Sequence, residues 1–395
     1  IVYISLPQGC LYHQFAGATA SQPVAVAPAQ YFLLVLIVKN YLASKVECSF
    51  ATANNAMYEL LLMPDELIIS ITNRRRCIIC SVLRLTLTML NLFITGCIIT
   101  CIVLPIYGKQ YQTTRYKDLV FKNIKIDNNI VYQPNPPEGA KKKYYLFDLY
   151  QPQNDTCTSR PLILWMHGGG FKFGNKKSRG TPLWSKRFAQ RGYVCAAVNY
   201  RLSKKNTLSD LSALVNACSD AIEDINQAIT FFKKNHLLYK IDTNRIILAG
   251  NSAGGMIALQ YVYSNPALMQ QTGQAGIEKT LPAFNPEHIK TVINFWGGMF
   301  NLEWLKNANV PIVSVYGSKD RIVPPADPGK GIYGSILIHQ YADSLHIPNR
   351  VKIFDGYAHE LQKRFNPFWA GKATHRRLEE AGQFAADFLY AELFK

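Results

Sequence analysis

The chain has 395 residues, 48% of them apolar and 17% charged, with 25 glycines and 20 prolines; this balance excludes a disordered or low-complexity protein and supplies a sizeable core. The formal charge of +17 is uneven, +2 over residues 1–108 and +15 over residues 109–395. No nucleic-acid module accompanies it, so the excess is read as a basic solvated surface open to transient, salt-sensitive contact with a membrane or another anionic surface.

Residues 1–84 show no clear amphipathic period, and the apolar run Tyr31 to Val38 is too short to span a bilayer. This region is expected to be non-catalytic and poorly organised, and its place in the natural protein is left open. Cys77 and Cys80 have metal-knuckle spacing but no second pair with nearby histidines, so no metal is expected there. Leu85 to Ile106 runs for 22 residues without a charge, behind Arg74, Arg75, Arg76 and Arg84. Such a stretch can cross a bilayer with its basic flank cytoplasmic. A start at Met89 would instead make it the apolar core of a secretory signal, cleaved near Gly108 before Lys109. Residues 85–108 are therefore expected to be a signal peptide or a membrane anchor, with export favoured, and residues 109–395 the catalytic domain.

From Asp118 onward the texture changes. Val120 to Ile126, Ile130 to Tyr132 and Tyr144 to Tyr150 predict antiparallel leading strands. Apolar strands follow at Pro161 to Met166, Tyr193 to Asn199, Arg245 to Ala249, Thr291 to Trp296, Pro311 to Tyr316 and Arg350 to Phe354. Between them lie helical patterns at Leu183 to Gln190, within Leu208 to Asn235 and at Met256 to Tyr263, with a last one across Arg377 to Leu393. Buried strands alternating with amphipathic helices predict an α/β fold, a mostly parallel sheet covered on both faces. Cys195, inside one apolar run, reads as buried packing. Ligands in such sheets gather beyond the carboxyl ends of the strands.

The polar and glycine-rich clusters all stand at those ends. Gly250-Asn251-Ser252-Ala253-Gly254 follows the Arg245 strand: glycines on both flanks of a serine permit a strand-to-helix turn too sharp for side chains. Asp320 follows the Pro311 strand and His359 the Arg350 strand. A serine hydroxyl is a poor nucleophile unless an imidazole takes its proton and a carboxylate orients that imidazole. Asp327 and Asp355 are alternatives to Asp320, and His339, His346 and His375 to His359. His167-Gly168-Gly169-Gly170 ends the Pro161 strand, where backbone N–H groups free of side chains can face a substrate oxygen as it becomes an anion. The N–H of Ala253 is expected to join them. A phosphate-cradling loop is disfavoured, since neither G-x-G-x-x-G nor a Gly-Lys-Ser/Thr ending is present.

In these motifs and their order the chain resembles the α/β-hydrolase superfamily, and within it the carboxylesterases and hormone-sensitive-lipase-like esterases, over about residues 110–395. The resemblance implies the α/β-hydrolase fold and a cofactor-independent serine esterase. Ser252, Asp320 and His359 would be its triad and Gly169, Gly170 and Ala253 its oxyanion hole, with His167, Gly168, Gly250 and Gly254 as motif support. Asn251 departs from the Asp or Glu common in such esterases. The expected partner is a small-molecule or polymer-linked ester of short to medium chain, an acetyl or feruloyl ester of a plant polymer being one form. An exopeptidase or amidase, or a non-catalytic hydrolase-fold binding protein, is the alternative. The insertions Ser264 to His288 and Pro324 to His346 are expected to wall the pocket with Leu281, Phe284, Ile332, Tyr333 and Ile336, and Trp296 to border the site.

Overall fold

The computed structural model describes residues 114–272, 284–328, 331–364, 366 and 371–395. The chain divides into two units, Ile1–Gln110 and Tyr111–Lys395, and all described residues belong to the second. Region 1–84, the apolar segment 85–108 and Leu281 therefore lie outside the described residues.

The strands are β1 Ile124–Val131, β2 Leu146–Pro152, β3 Arg160–Met166, β4 Val194–Val198, β5 Ile241–Asn251, β6 Ile289–Phe295, β7 Ile312–Gly317 and β8 Asn349–Phe354. The helices are α1 Thr181–Ala189, α2 Leu211–Lys234, α3 His236–Tyr239, α4 Ala253–Tyr263, α5 Pro266–Thr272, α6 Ser335–Ser344 and α7 Lys372–Phe394. The strands form one sheet in the order β1-β2-β4-β3-β5-β6-β7-β8. β1 and β2 run antiparallel and the remaining six parallel, the expected doubly covered α/β architecture.

The period-2 alternation of a strand separates two cores. Leu162, Leu164 and Met166 of β3, with Ile246 and Leu248 of β5, face the layer of α2 and α4. Ile163, Trp165, Ile247 and Ala249 face the layer of α1 and α7. Both sides are apolar because both are covered, so these strands read as continuous apolar runs. Asp210 caps α2, its carboxylate accepting from Ala213 N at 3.0 Å.

Two local expectations are corrected. Val120 to Asn123 are not strand; Phe121 N donates to Gln190 O at 2.8 Å, which takes this stretch out of the ladder. Ile130 belongs to the same strand as Ile124, across a register shift at Asp127 to Ile130 where Asn129 takes φ 58°.

Candidate active site

Three strands of the parallel set deliver the three predicted side chains to one edge of the sheet. Ser252 stands between the end of β5 and the first residue of α4, with φ 52° and ψ −118°. A serine is held there only because its surroundings over-determine it. Ser252 N donates to Phe295 O at 2.8 Å, and Met256 N returns to Ser252 O at 3.0 Å. A Cβ on Gly254 would stand 2.0 Å from Met166 O, and one on Gly250 would meet Gly254 C at 2.3 Å. The elbow thus packs backbone against backbone, which is why its flanks carry no side chains.

His359 Nε2 lies 2.9 Å from Ser252 Oγ, and His359 Nδ1 lies 2.7 Å from Asp320 Oδ2. The other oxygen of Asp320 accepts from Ile322 N at 2.9 Å and Val323 N at 3.1 Å. Those two donors orient the carboxylate, which leaves its second oxygen aimed at the ring. Asp320 and His359 are 4% and 3% exposed and Ser252 8%, so the series is shielded yet open at the serine end. Trp296 stands edge-on beside His359, their ring centroids 6.5 Å apart, as expected of a bordering residue.

The alternatives are elsewhere. Asp355 accepts from Ser318 Oγ at 2.8 Å, and Asp327 is exposed. His339 sits on α6 against Asn349 at 2.6 Å; His346 lies just past that helix and His375 in the first turn of α7. None of the three meets Ser252.

The glycine loop leaves the end of β3. Gly169 has φ 120° and Gly170 φ 59°, and a Cβ on Gly169 would fall 2.2 Å from Phe173 O. Gly169 O accepts from Lys172 N at 3.1 Å and Phe173 N at 3.0 Å, and Thr207 Oγ1 donates to Gly170 O. Among the described residues the N–H groups of Gly169 and Gly170 donate to nothing. The N–H of Ala253 is one of the donors that the start of a helix leaves unpaired. Behind the loop, the His167 ring stacks on Tyr200 at 4.3 Å and Tyr200 Oη donates to His167 O at 2.6 Å.

A cleft of about 600 Å³ opens over Ser252 and Ala253. Its walls are Phe171, Leu208, Leu211, Leu214, Met256 and Ile332, with Asp210 and Arg321 as charged members. Among the residues expected to line it, Ile332 does. Phe284 instead packs on Tyr261 at 5.2 Å, Tyr333 bridges to Met299, and Ile336 packs against the opposite core. The opposite wall is the segment before α2, which nothing in the sequence marked.

The BD-FAE family model matches residues 147–309, from β2 to the loop just before β7. The chain has the α/β-hydrolase fold. Probable carboxylic ester hydrolase LipM of Mycobacterium tuberculosis is 32% identical over 108 residues, 27% of this chain and 22% of that protein. Gut esterase 1 of Caenorhabditis elegans is 32% identical over 104 residues, 26% of this chain and 18% of that one. Arylacetamide deacetylase-like 2 of Homo sapiens is 27% identical over 187 residues, 45% of this chain and 42% of that one. The matched segments thus span less than half the length of each of these relatives.

Several residues that hold this site carried no sequence signal. Arg201 fastens the wall segment to α2, with Nε 2.8 Å from Asp224 and Nη2 2.6 Å from Glu223. Lys176, 4% exposed, closes the far end of the glycine loop on buried Asp148 of β2, and its N–H donates to Asn199 Oδ1 at 2.6 Å. Arg179 reaches Glu360, the residue after the histidine, at 2.7 Å. Arg201, Lys176 and Arg179 are charged groups whose partners are remote in sequence, so no local pattern announces them. Asn251, noted in the sequence, is 3% exposed, and its Nδ2 lies 2.7 Å from where a Cβ on Gly168 would sit.

His167 is a buried acid-sensitive group. Burial pushes its pKa down from the usual 6.5 to about 4, against a hydrogen bond with Gly168 O that favours the charged ring. The unfolded chain therefore binds a proton that the folded chain refuses between pH 6.5 and about 4. Stability present above pH 6.5 is lost as pH falls through that window, on the order of 3 kcal/mol in all. The thermal midpoint of the wild type is expected to drop across this range, and that of His167→Asn to drop much less. Equal pH dependence of the two proteins would remove His167 as the cause.

Proposed function

We propose that the chain is a serine esterase that hydrolyses short- to medium-chain carboxylic esters through an acyl-enzyme. The observation that carries this reading is the unbroken series Ser252 Oγ–His359–Asp320, with contacts of 2.9 and 2.7 Å, at the floor of the cleft. His359 is placed to take the Ser252 proton on Nε2 as the oxygen attacks the carbonyl carbon. Asp320, accepting a hydrogen bond from Nδ1–H, holds the tautomer that leaves Nε2 free and stabilises the imidazolium that forms. The unpaired N–H groups of Gly169, Gly170 and Ala253 are the donors for the developing oxyanion, each worth about 2.7–4 kcal/mol of barrier by comparison with a deleted donor elsewhere. His359 then protonates the departing alcohol, and water activated by the same ring releases the acyl group. The apolar walls suit an acyl chain, and the cleft volume falls within the range of small-molecule sites. The names of the relatives support ester bonds as the target.

Turnover of 4-nitrophenyl acetate, butyrate and decanoate, set against aminoacyl-anilides, tests the reading. Ester turnover is expected; preference for the anilides would make the chain an amidase or exopeptidase, and a folded protein that turns over neither would be a binding protein. Asp320→Asn is expected to lower kcat by about 10⁴-fold, because it imposes the wrong tautomer on His359. A loss below tenfold would deny Asp320 that role.

The 22-residue apolar run supports a place outside the cytoplasm, either secreted after cleavage near Lys109 or anchored by residues 85–108. N-terminal sequencing and fractionation test this, and recovery from soluble cytoplasm alone would reject both forms.

A further inference from the structure

His359 stands at the start of a backbone segment that does not hold itself. It opens the short 3₁₀ turn His359–Leu361, and the two residues behind it take left-handed angles, Glu360 at φ 55° and Leu361 at φ 56°. Neither is glycine, and a Cβ in that region crowds the following carbonyl. Such residues persist only where the surroundings over-determine them.

Two arginines from different elements supply that restraint. Arg377 of α7 donates from Nε to Leu361 O at 2.7 Å, and its guanidinium lies 4.0 Å from the centre of the Tyr357 ring. Arg377 therefore grips the main chain. Arg179 grips the side chain next to the histidine: its Nη1 donates to Glu360 Oε2 at 2.7 Å and to Asn366 O at 3.2 Å. The Arg179 and Glu360 side chains are only 18% and 17% exposed, so water screens their attraction in part.

Arg179 differs from Arg377 in where it comes from. It lies between Gly174 and α1, on the stretch that leaves the oxyanion glycines. That stretch is itself fixed: Asn175 N donates to Ser178 Oγ at 2.8 Å, Ser178 N to Asn175 O at 2.8 Å, and Lys176 pairs with Asp148 of β2. The Arg179–Glu360 pair thus ties the loop that carries the oxyanion donors to the loop that carries the base.

We propose that Arg179 is a positioning residue for catalysis: through Glu360 it sets the His359 ring against Ser252 Oγ and in register with the oxyanion glycines. The inference rests on the serine-esterase reading. With the pair broken, Glu360 and Leu361 relax from their left-handed angles and the adjoining His359 moves with them. A displacement of about 1 Å at a reacting group costs on the order of 100-fold in rate. Asp320 still holds Nδ1, so the loss is partial. Arg179 does not line the cleft, so the loss falls on kcat rather than KM.

Kinetics with 4-nitrophenyl butyrate, on full-length variants assayed well below their own melting midpoints, test the proposal. Arg179→Gln is expected to lower kcat by about 30-fold and to leave KM within about twofold. Glu360→Gln should match it, and the Arg179→Gln/Glu360→Gln double variant should lose no more than either alone, because all three remove one contact. Arg179→Lys, which keeps the charge, should recover most of kcat. A kcat within about threefold of wild type in Arg179→Gln would overturn the proposal, as would a loss confined to KM or losses that multiply in the double variant. Should Arg179→Gln fail to fold, Glu360→Gln carries the same test. A wild type that turns over no ester would overturn both readings; an active wild type with an equally active Arg179→Gln would overturn this one alone.

Discussion

Ser252→Ala is expected to lower kcat for 4-nitrophenyl butyrate by roughly 10⁶-fold, the scale seen when a triad nucleophile is removed from a serine hydrolase. Ser252 is the residue whose hydroxyl stands 2.9 Å from His359 Nε2 at the floor of the cleft. The folded state should be unaffected. Alanine bears the same cost at φ 52° as serine, so the exchange adds no backbone strain, and the lost hydroxyl lies at the cleft floor rather than in a packed core. Melting and ester turnover measured on one preparation separate the two effects. A variant that kept a hundredth of the activity would show that Ser252 is not the nucleophile.

Gly254→Ala is expected to act in the opposite way, on the fold. Its new methyl would stand 2.0 Å from the carbonyl oxygen of Met166 and 2.6 Å from the carbonyl carbon, both backbone atoms of the central strand β3. Flexible side chains can yield to such a methyl, but a strand bonded on both sides cannot. Helix α4 must therefore move away from β3, opening both the core beneath it and the elbow above. The cost is expected to exceed about 4 kcal/mol, within the exceptional range for one substitution, and to lower the midpoint by about 10 °C or more. An Ala variant melting within about 2 °C of the wild type would contradict this packing.

Much of this site was legible before any coordinates, for a definite reason. A parallel α/β sheet delivers the residue after each strand to one edge, so Ser252, Asp320 and His359 needed only to follow β5, β7 and β8 to be candidates. Their alternatives were eliminated by placement: His339 is on a helix, and Asp355 answers Ser318. The pocket was less legible. The expected walls came from the two long insertions, yet among the described residues most of the cleft is built from Thr207 to Leu214 and from Arg321 to Val323. Length marked the insertions as conspicuous, but lining depends on which way a loop leaves its strand.

Within residues 114–395, local pattern alone determined the alternation of strands and helices, the two-sided burial of β3 to β7 and the identity of the catalytic candidates. Apolar period, turn glycines and strand-end polarity are each written within a few neighbouring residues. Tertiary structure alone decided that Arg201 and Lys176 are held by acidic partners on α2 and β2, that Ile124 and Ile130 share one bulged strand, and which loops close over Ser252. Those outcomes rest on contacts between segments tens of residues apart. A charge gives no sign in the sequence of which distant charge it will meet, because the energy that selects the partner exists only once both are removed from water together.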